Sequence, residues 1–118
     1  MAIFTAIILS GSTSGKAIPI VSTSSPGDTL HTVSSATTTV IEDVYIDIKS
    51  AATTDRTFIL ENGGTATTNQ SRHLIPALSS VRVAAGDRYQ SATGIVIRGF
   101  ATATGGLVAS GAVNRASP

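Results

Sequence analysis

Between Val40 and Lys49 the chain alternates so regularly that only one kind of backbone fits it. Val44, Ile46 and Ile48 fall on one side, and Asp43, Tyr45, Asp47 and Lys49 on the other. This period of two belongs to a strand with one buried and one wet face. The amphipathic helix spacing i, i+3, i+4, i+7 occurs nowhere over a useful length. Short β-branched runs punctuated by Gly, Ser, Asn and Asp recur instead, as in a sandwich or barrel.

Further extended runs lie at 3–9, 16–21, 29–33, 56–61, 65–68, 72–75, 79–83, 94–101 and 107–113, not all of them full strands. Pro19 cannot donate to a ladder, so the 16–21 run is an edge strand or extended arm. Ser25-Pro26-Gly27-Asp28 is a turn. The segment 34–39 is a polar loop. Asn62-Gly63-Gly64 tolerates positive φ and predicts a tight hairpin into 65–68. Ala84-Ala85-Gly86-Asp87 and Ala103-Thr104-Gly105-Gly106 are read as turns. The pattern is all-β: an antiparallel β-sandwich of about eight strands, jelly-roll or immunoglobulin-like, with an extended N-terminal arm or strand. Residues 1–25 form the arm or edge hairpin and 26–118 the sandwich, one domain overall.

Aromatic residues make up 4% of the 118 residues, and there is no Trp, so the core is built from Ile, Val and Leu. Ser and Thr supply about a quarter of the chain, and charged residues only 13%, about half the usual share. The net charge is +1, and the eight basic residues are scattered from Lys16 to Arg115. Nucleic-acid binding needs clustered cations, as does attraction to an anionic membrane, so neither partner is expected. No apolar run approaches the roughly 20 residues of a membrane helix. Residues 1–9 lack the basic start of a signal peptide and read as a strand. There are no cysteines, so neither disulfides nor thiolate metal sites are available.

Gly11-Ser12-Thr13-Ser14-Gly15-Lys16 superficially suggests a phosphate loop. It has three residues between the glycines where four are needed, and Ala17 stands where a Ser or Thr should follow the Lys. As a nucleophile elbow the same stretch places Thr13 at the centre without a strand–turn–helix context. His31 and His73 have no acidic neighbour in sequence and read as partly exposed strand residues, although a triad can assemble in space. Glu42, Asp43 and Asp47 are the residue types of metal ligands. Asp43 and Asp47, however, stand about 13 Å apart at ~3.3 Å per residue, too far for one ion. The alternative is a solvated outer face with Lys49 as a weak ion-pair partner. No catalytic, cofactor or metal residues are assigned. Ile3, Phe4, Ile7, Ile8 and Leu9 are an unusual load of hydrophobe for a terminus. It either joins the chain's own sheet or adds to a neighbour by strand exchange.

Several segments resemble small virion structural proteins of tailed bacteriophages. They are Met1-Ala2-Ile3-Phe4-Thr5, Leu9-Ser10-Gly11-Ser12-Thr13, Gly15-Lys16, Pro26-Gly27-Asp28-Thr29-Leu30-His31-Thr32, Thr54-Asp55-Arg56 and Gly63-Gly64-Thr65. The most specific are Val96-Ile97-Arg98-Gly99-Phe100-Ala101 and Gly111-Ala112-Val113-Asn114-Arg115. The resemblance implies a capsid decoration, or cement, protein on the outer surface of the virion. Its partner would be the major capsid protein, and it would form a homo-oligomer, a trimer being favoured. No enzyme activity is implied. Interface candidates are Ile3, Phe4, Ile7, Ile8, Pro19, Arg98, Phe100 and Arg115. The alternative is a tail, fibre or baseplate component, with Tyr45, Tyr89 and Phe100 as the few aromatics available to stack on a glycan.

Overall fold

The computed structural model describes residues 3–33, 40–64, 67–90, 94–103 and 105–117. The expected loop over 34–39 and the start of the 65–68 strand lie outside the described residues. Nine strands form two antiparallel sheets: β1 (Ile3–Ile8), β2 (Ile18–Pro19), β3 (Asp28–Thr32), β4 (Ile41–Ser50), β5 (Arg56–Asn62), β6 (Gln70–Ile75), β7 (Ser80–Tyr89), β8 (Val96–Ala101) and β9 (Leu107–Ser117). One sheet has the order β1-β9-β4-β7, with β2 also paired to β9, and the other β3-β8-β5-β6. The two together make the antiparallel β-sandwich read from the sequence.

The pairings β2–β9, β3–β8, β4–β7 and β5–β6 are the rungs of one long hairpin. Successive rungs fall alternately in the two sheets, which β4–β9 and β5–β8 pairing then completes. That connectivity is a jelly roll. An immunoglobulin sandwich keeps more consecutive strands within one sheet; here, after β2, only β5 and β6 do so.

β9 organises the larger sheet. β4 pairs along its whole length, from Ile41 opposite Ala116 to Ser50 opposite Leu107. β1 and β2 share its other edge, with Ile8 opposite Ala112 and Ile18 opposite Ala109. Pro19 sits on this outer edge, where the missing N–H costs no ladder bond.

Val44, Ile46 and Ile48 on β4 are fully buried, as the alternation requires, and meet Leu60, Ile75 and Ile97 from the facing sheet. Phe58 is the one fully buried aromatic among the described residues. Its ring lies on the backbone of Gly99, where an added Cβ would stand 2.2 Å from Phe58 Cζ. A glycine in mid-strand is normally a loss of packing, but here it makes room for the ring. Gly111 serves a similar purpose, because its Cβ would stand 1.9 Å from the Tyr45 carbonyl oxygen.

Two expectations are corrected. Ala84-Ala85-Gly86-Asp87 is no turn, and β7 runs through it to Tyr89. The register passes from Tyr45 opposite Ala85 to Val44 opposite Asp87, leaving Gly86 as a bulge at φ 86°. Locally a Gly-Asp pair reads the same in a bulge as in a turn; only the partner strand separates them. β5 also finds its described partner later in the chain than the expected 65–68. Thr67–Asn69 form a 3-10 turn, and β6 begins at Gln70 opposite Glu61. Polar threonines offer no apolar alternation to bury, whereas His73 and Ile75 turn toward the interior.

Tyr89 ends β7 packed against the core, its hydroxyl donating to Asn62 Oδ1 at 3.2 Å. Burial, with a smaller effect of Asp87, pushes the phenol up to about 12. The neutral phenol is thus favoured in the folded state, and its contribution is fully present below the ordinary Tyr value of about 10. Stability should fall from about pH 10 to about 12 as the phenol ionises, read as a decreasing urea midpoint, and Tyr89→Phe should flatten that fall. Gly99→Ala should destabilise the fold by about 1–3 kcal/mol in the same assay, by overpacking against Phe58.

Candidate functional site

The polar groups of the interior are concentrated in two bridges. The first begins at the bulge in β3 between Thr29 and His31, which lets Leu30 and His31 both turn inward. His31 is 1% exposed and Glu42 is 0% exposed. The Ser10 backbone N–H donates to His31 Nδ1 at 3.0 Å, so the ring proton is on Nε2, which donates to Glu42 Oε1 at 2.6 Å. Arg115, opposite Glu42 on β9, closes on Oε2 from Nε at 2.9 Å and Nη2 at 2.8 Å. One carboxylate therefore joins the β1–β2 loop, β3, β4 and β9.

Ser10, His31 and Glu42 are the residue types of a catalytic triad, and tertiary structure does bring them together. The geometry is not that of a nucleophile and base, however. Ser10 meets the ring through its backbone, and its Oγ accepts from Thr32 N at 2.6 Å. Activation requires the hydroxyl itself to donate to the imidazole, with both open to substrate. The arrangement is a structural bridge. This corrects two expectations, a partly exposed His31 and a solvated Glu42. The signal was present in the parity of β4: Glu42 falls in step with Val44, Ile46 and Ile48, not with Asp43 and Asp47.

Glu61 forms the second bridge, on the outer side of the smaller sheet, and is likewise 0% exposed. It accepts from Ser25 Oγ at 2.6 Å, Gly27 N at 2.7 Å and Gln70 Nε2 at 3.3 Å. The Ser25-Pro26-Gly27 turn, whose Ser25–Pro26 peptide is cis, is thereby pinned over β5. Asp28 fixes the preceding segment by accepting from the backbone N–H groups of Val21 at 2.8 Å and Ser22 at 2.9 Å. His73, on β6, hydrogen-bonds Ser71 Oγ at 2.9 Å, and partial burial lowers its pKa.

The outer face of the larger sheet differs in character from one side to the other. On the β4–β7 side, Asp43 and Asp47 pair with Arg88 and Arg82 rather than with Lys49, a further correction. The bidentate contacts are 2.8 and 3.1 Å for Asp43–Arg88, and 2.9 and 3.3 Å for Asp47–Arg82. Cross-strand register places each arginine directly opposite its carboxylate. The hydrogen bond from Arg88 holds the Asp43 carboxyl below the usual carboxylate range. The Arg82 guanidinium lies 5.9 Å from the Tyr45 ring centroid. On the β1 side the surface is apolar, with Phe4 77% and Ile8 49% exposed. A shallow groove of about 250 Å³ separates the two regions, lined by Phe4, Ile41, Asp43, Arg88, Asn114 and Ala116. Among the described residues, no group of three or more His, Asp or Glu side chains is placed to hold a metal ion.

The interface candidates do not form one patch. Phe4 and Ile8 share the outer face of β1, and Pro19 is exposed on the same edge of the sheet. Ile7 is half-buried and packs on the core. Ile3 belongs to β1, opposite Ser117. Arg98 and Phe100 lie on the outer face of β8, in the other sheet. Arg115 is occupied by Glu42. Asp43, Arg88 and Asn114 join Phe4 at the groove without having been singled out as interface residues, because their proximity depends on β1, β9, β4 and β7 lying side by side.

Comparison with known protein families, curated proteins and solved structures yields no match.

Glu42→Ala should cost about 3–5 kcal/mol in urea unfolding, since it leaves a buried imidazole and a guanidinium without their shared acceptor. Asp47→Ala removes a solvent-screened pair and should leave the unfolding midpoint nearly unchanged.

Proposed function

We propose that this chain is a capsid decoration, or cement, protein of a tailed bacteriophage, bound to the outside of the head and bridging major capsid subunits. The observation that carries the reading is the division of labour among its side chains. The buried His31, Glu42 and Glu61 are committed to holding the sandwich together, while Phe4 and Ile8 are presented to solvent on an uncharged strand. Such a molecule has more to offer as a docking body than as a site of chemistry. Contiguous exposed apolar surface marks interaction sites, and Phe4 and Ile8 share one face of one strand with Ala6 between them. The resemblance of the chain's segments to phage virion proteins supplies the partner. The jelly roll, a fold used by viral capsid domains, supports the reading by analogy of fold alone.

The physics of the role is consistent with the low charge and many hydroxyls. Contacts repeated by symmetry over a shell become tight through effective concentration, even when each is weak. A wide, wet, shape-matched contact needs few charged side chains at its centre.

The groove between Phe4 and the Asp43–Arg88 pair favours a second reading, a tail, fibre or baseplate component that binds a glycan. It offers one apolar ring beside polar groups, and lectins also use the jelly roll.

Cryo-electron microscopy of the particle tests both. Density for this sandwich on the head exterior, at a fixed ratio to the major capsid protein, is the expected result. Density confined to the tail overturns the capsid assignment, and binding on a glycan array that is lost in Phe4→Ala would establish the second reading.

A further inference from the structure

The two sheets have four lateral edges, and three carry features that discourage another strand from adding. β7 has two bulges and the charged residues Arg82, Asp87 and Arg88. β6 carries Arg72 and His73 and runs into Pro76. β3 is bulged, and the Asp28 carboxylate at its start binds the backbone of Val21 and Ser22. These are the usual means of protecting an edge. The fourth edge, β1, has none of them. Ile-Phe-Thr-Ala-Ile-Ile is uncharged, rich in β-branched residues and paired without interruption to β9 on one side. Among the described residues no strand pairs with its other side.

We propose that β1 is a homodimer edge, pairing antiparallel with β1 of a second copy about a two-fold axis through Ala6. The register follows from the faces. Phe4, Ala6 and Ile8 project from the outer face of the sheet, and Thr5 and Ile7 from the inner one. A two-fold axis perpendicular to the sheet keeps outer face with outer face, so facing residue numbers must have an even sum. With the axis at Ala6, Phe4 faces Ile8 of the second copy, Ala6 faces Ala6, and Thr5 faces Ile7. The two large exposed side chains of the strand are thus each other's partners, at a separation where cross-strand pairs interact. The small residue falls on the axis, where a side chain meets itself. The absence of charge on β1 means that no like charges are brought together by the symmetry.

The neighbouring β2 does not extend this edge, because it is two residues long and contains Pro19. A pair of six-residue strands buries less than the roughly 1,200 Å² of a standard interface, so the dimer is expected to be weak in dilute solution. Pairing uses the backbone edge and leaves the outer face uncovered, so the apolar surface is doubled across the axis. This two-fold assembly replaces the trimer implied by the resemblance to phage proteins. It does not depend on the capsid reading: heads bound by a monomer would overturn the pairing alone, and a dimer found only in tails would overturn the capsid assignment alone.

Sedimentation equilibrium of the full chain, from about 10 µM to about 1 mM, should show a monomer–dimer equilibrium. Ala6→Lys sets two like charges face to face on the axis and should weaken dimerisation at least about tenfold, a shift of about 1.4 kcal/mol. Its circular dichroism and melting temperature should match the parent's, because Ala6 is exposed. Ala6→Cys gives a second, independent reading in a chain with no other cysteine. Facing Cα atoms about 4.5–5.5 Å apart suit a disulfide, and mild oxidation should yield a covalent dimer. Thr5→Cys should cross-link far more slowly, since the two copies of residue 5 are offset by about 7 Å along the strands. A monomer throughout the concentration range, a trimer, an Ala6→Lys protein that dimerises like the parent, or equal cross-linking at positions 5 and 6 would overturn the proposal.

Discussion

A carboxylate withdrawn from water has to be met by donors, and in this molecule that requirement falls on Glu42. Its two oxygens are taken by His31 from the facing sheet and Arg115 from the adjacent strand. His31 is in turn fixed by the backbone of Ser10, in the loop that follows β1. Four parts of the chain are therefore positioned by one side chain. Buried ion pairs often add little net stability compared with apolar residues of similar volume. What this one adds is a condition on geometry. A slip of one residue between β4 and β9 would put Glu42 opposite a neighbour of Arg115 and leave both charges unmet.

The jelly roll explains why such a tie is needed. Nearly every rung of the rolled hairpin joins residues far apart in sequence, with β2 on β9 and β3 on β8. Contacts of that kind are slow to form and carry the entropy of closing long loops. An interior with one large aromatic has few shapes that can enforce a unique register. Register is instead enforced by Phe58 seated on Gly99, by Gly111 beneath the Tyr45 carbonyl, and by the bridges at Glu42 and Glu61. The second bridge also accounts for a carboxylate buried on the outer side of a sheet, because the Ser25-Pro26-Gly27 turn is folded down over it.

The surface is organised on the same principle of local complementarity. On the outer face of β4, Asp43 and Asp47 each face an arginine of β7, so these charges cancel in place. Toward β1 the charges give way to Phe4, Ala6 and Ile8. A face on which two carboxylates are matched by arginines, bordered by a rim that carries Phe4 and Ile8, is suited to shape-dependent association rather than to long-range attraction. The proposed docking on a shell and the proposed pairing of edges would both draw on this property.

The sequence by itself determined the class of fold and most of its strands. Alternation at 40–49, β-branched runs and turn residues are local signals, and each strand carries its own. The inward direction of Glu42 was also encoded locally, in its parity with Val44, Ile46 and Ile48, although its charge led to the opposite expectation. What only the tertiary structure decided was who meets whom. The sequence shows two isolated histidines and scattered acids and bases; the roll brings His31 to Glu42 across 11 positions and Arg115 to Glu42 across 73. It made Gly86 a bulge rather than a turn, because a bulge is defined by the opposing strand. It buried Glu61 under a loop 34 residues away, against the pattern of its own strand. Periodicity records which way a side chain points, whereas partnership depends on the pairing of strands distant in sequence, for which no single segment carries the information.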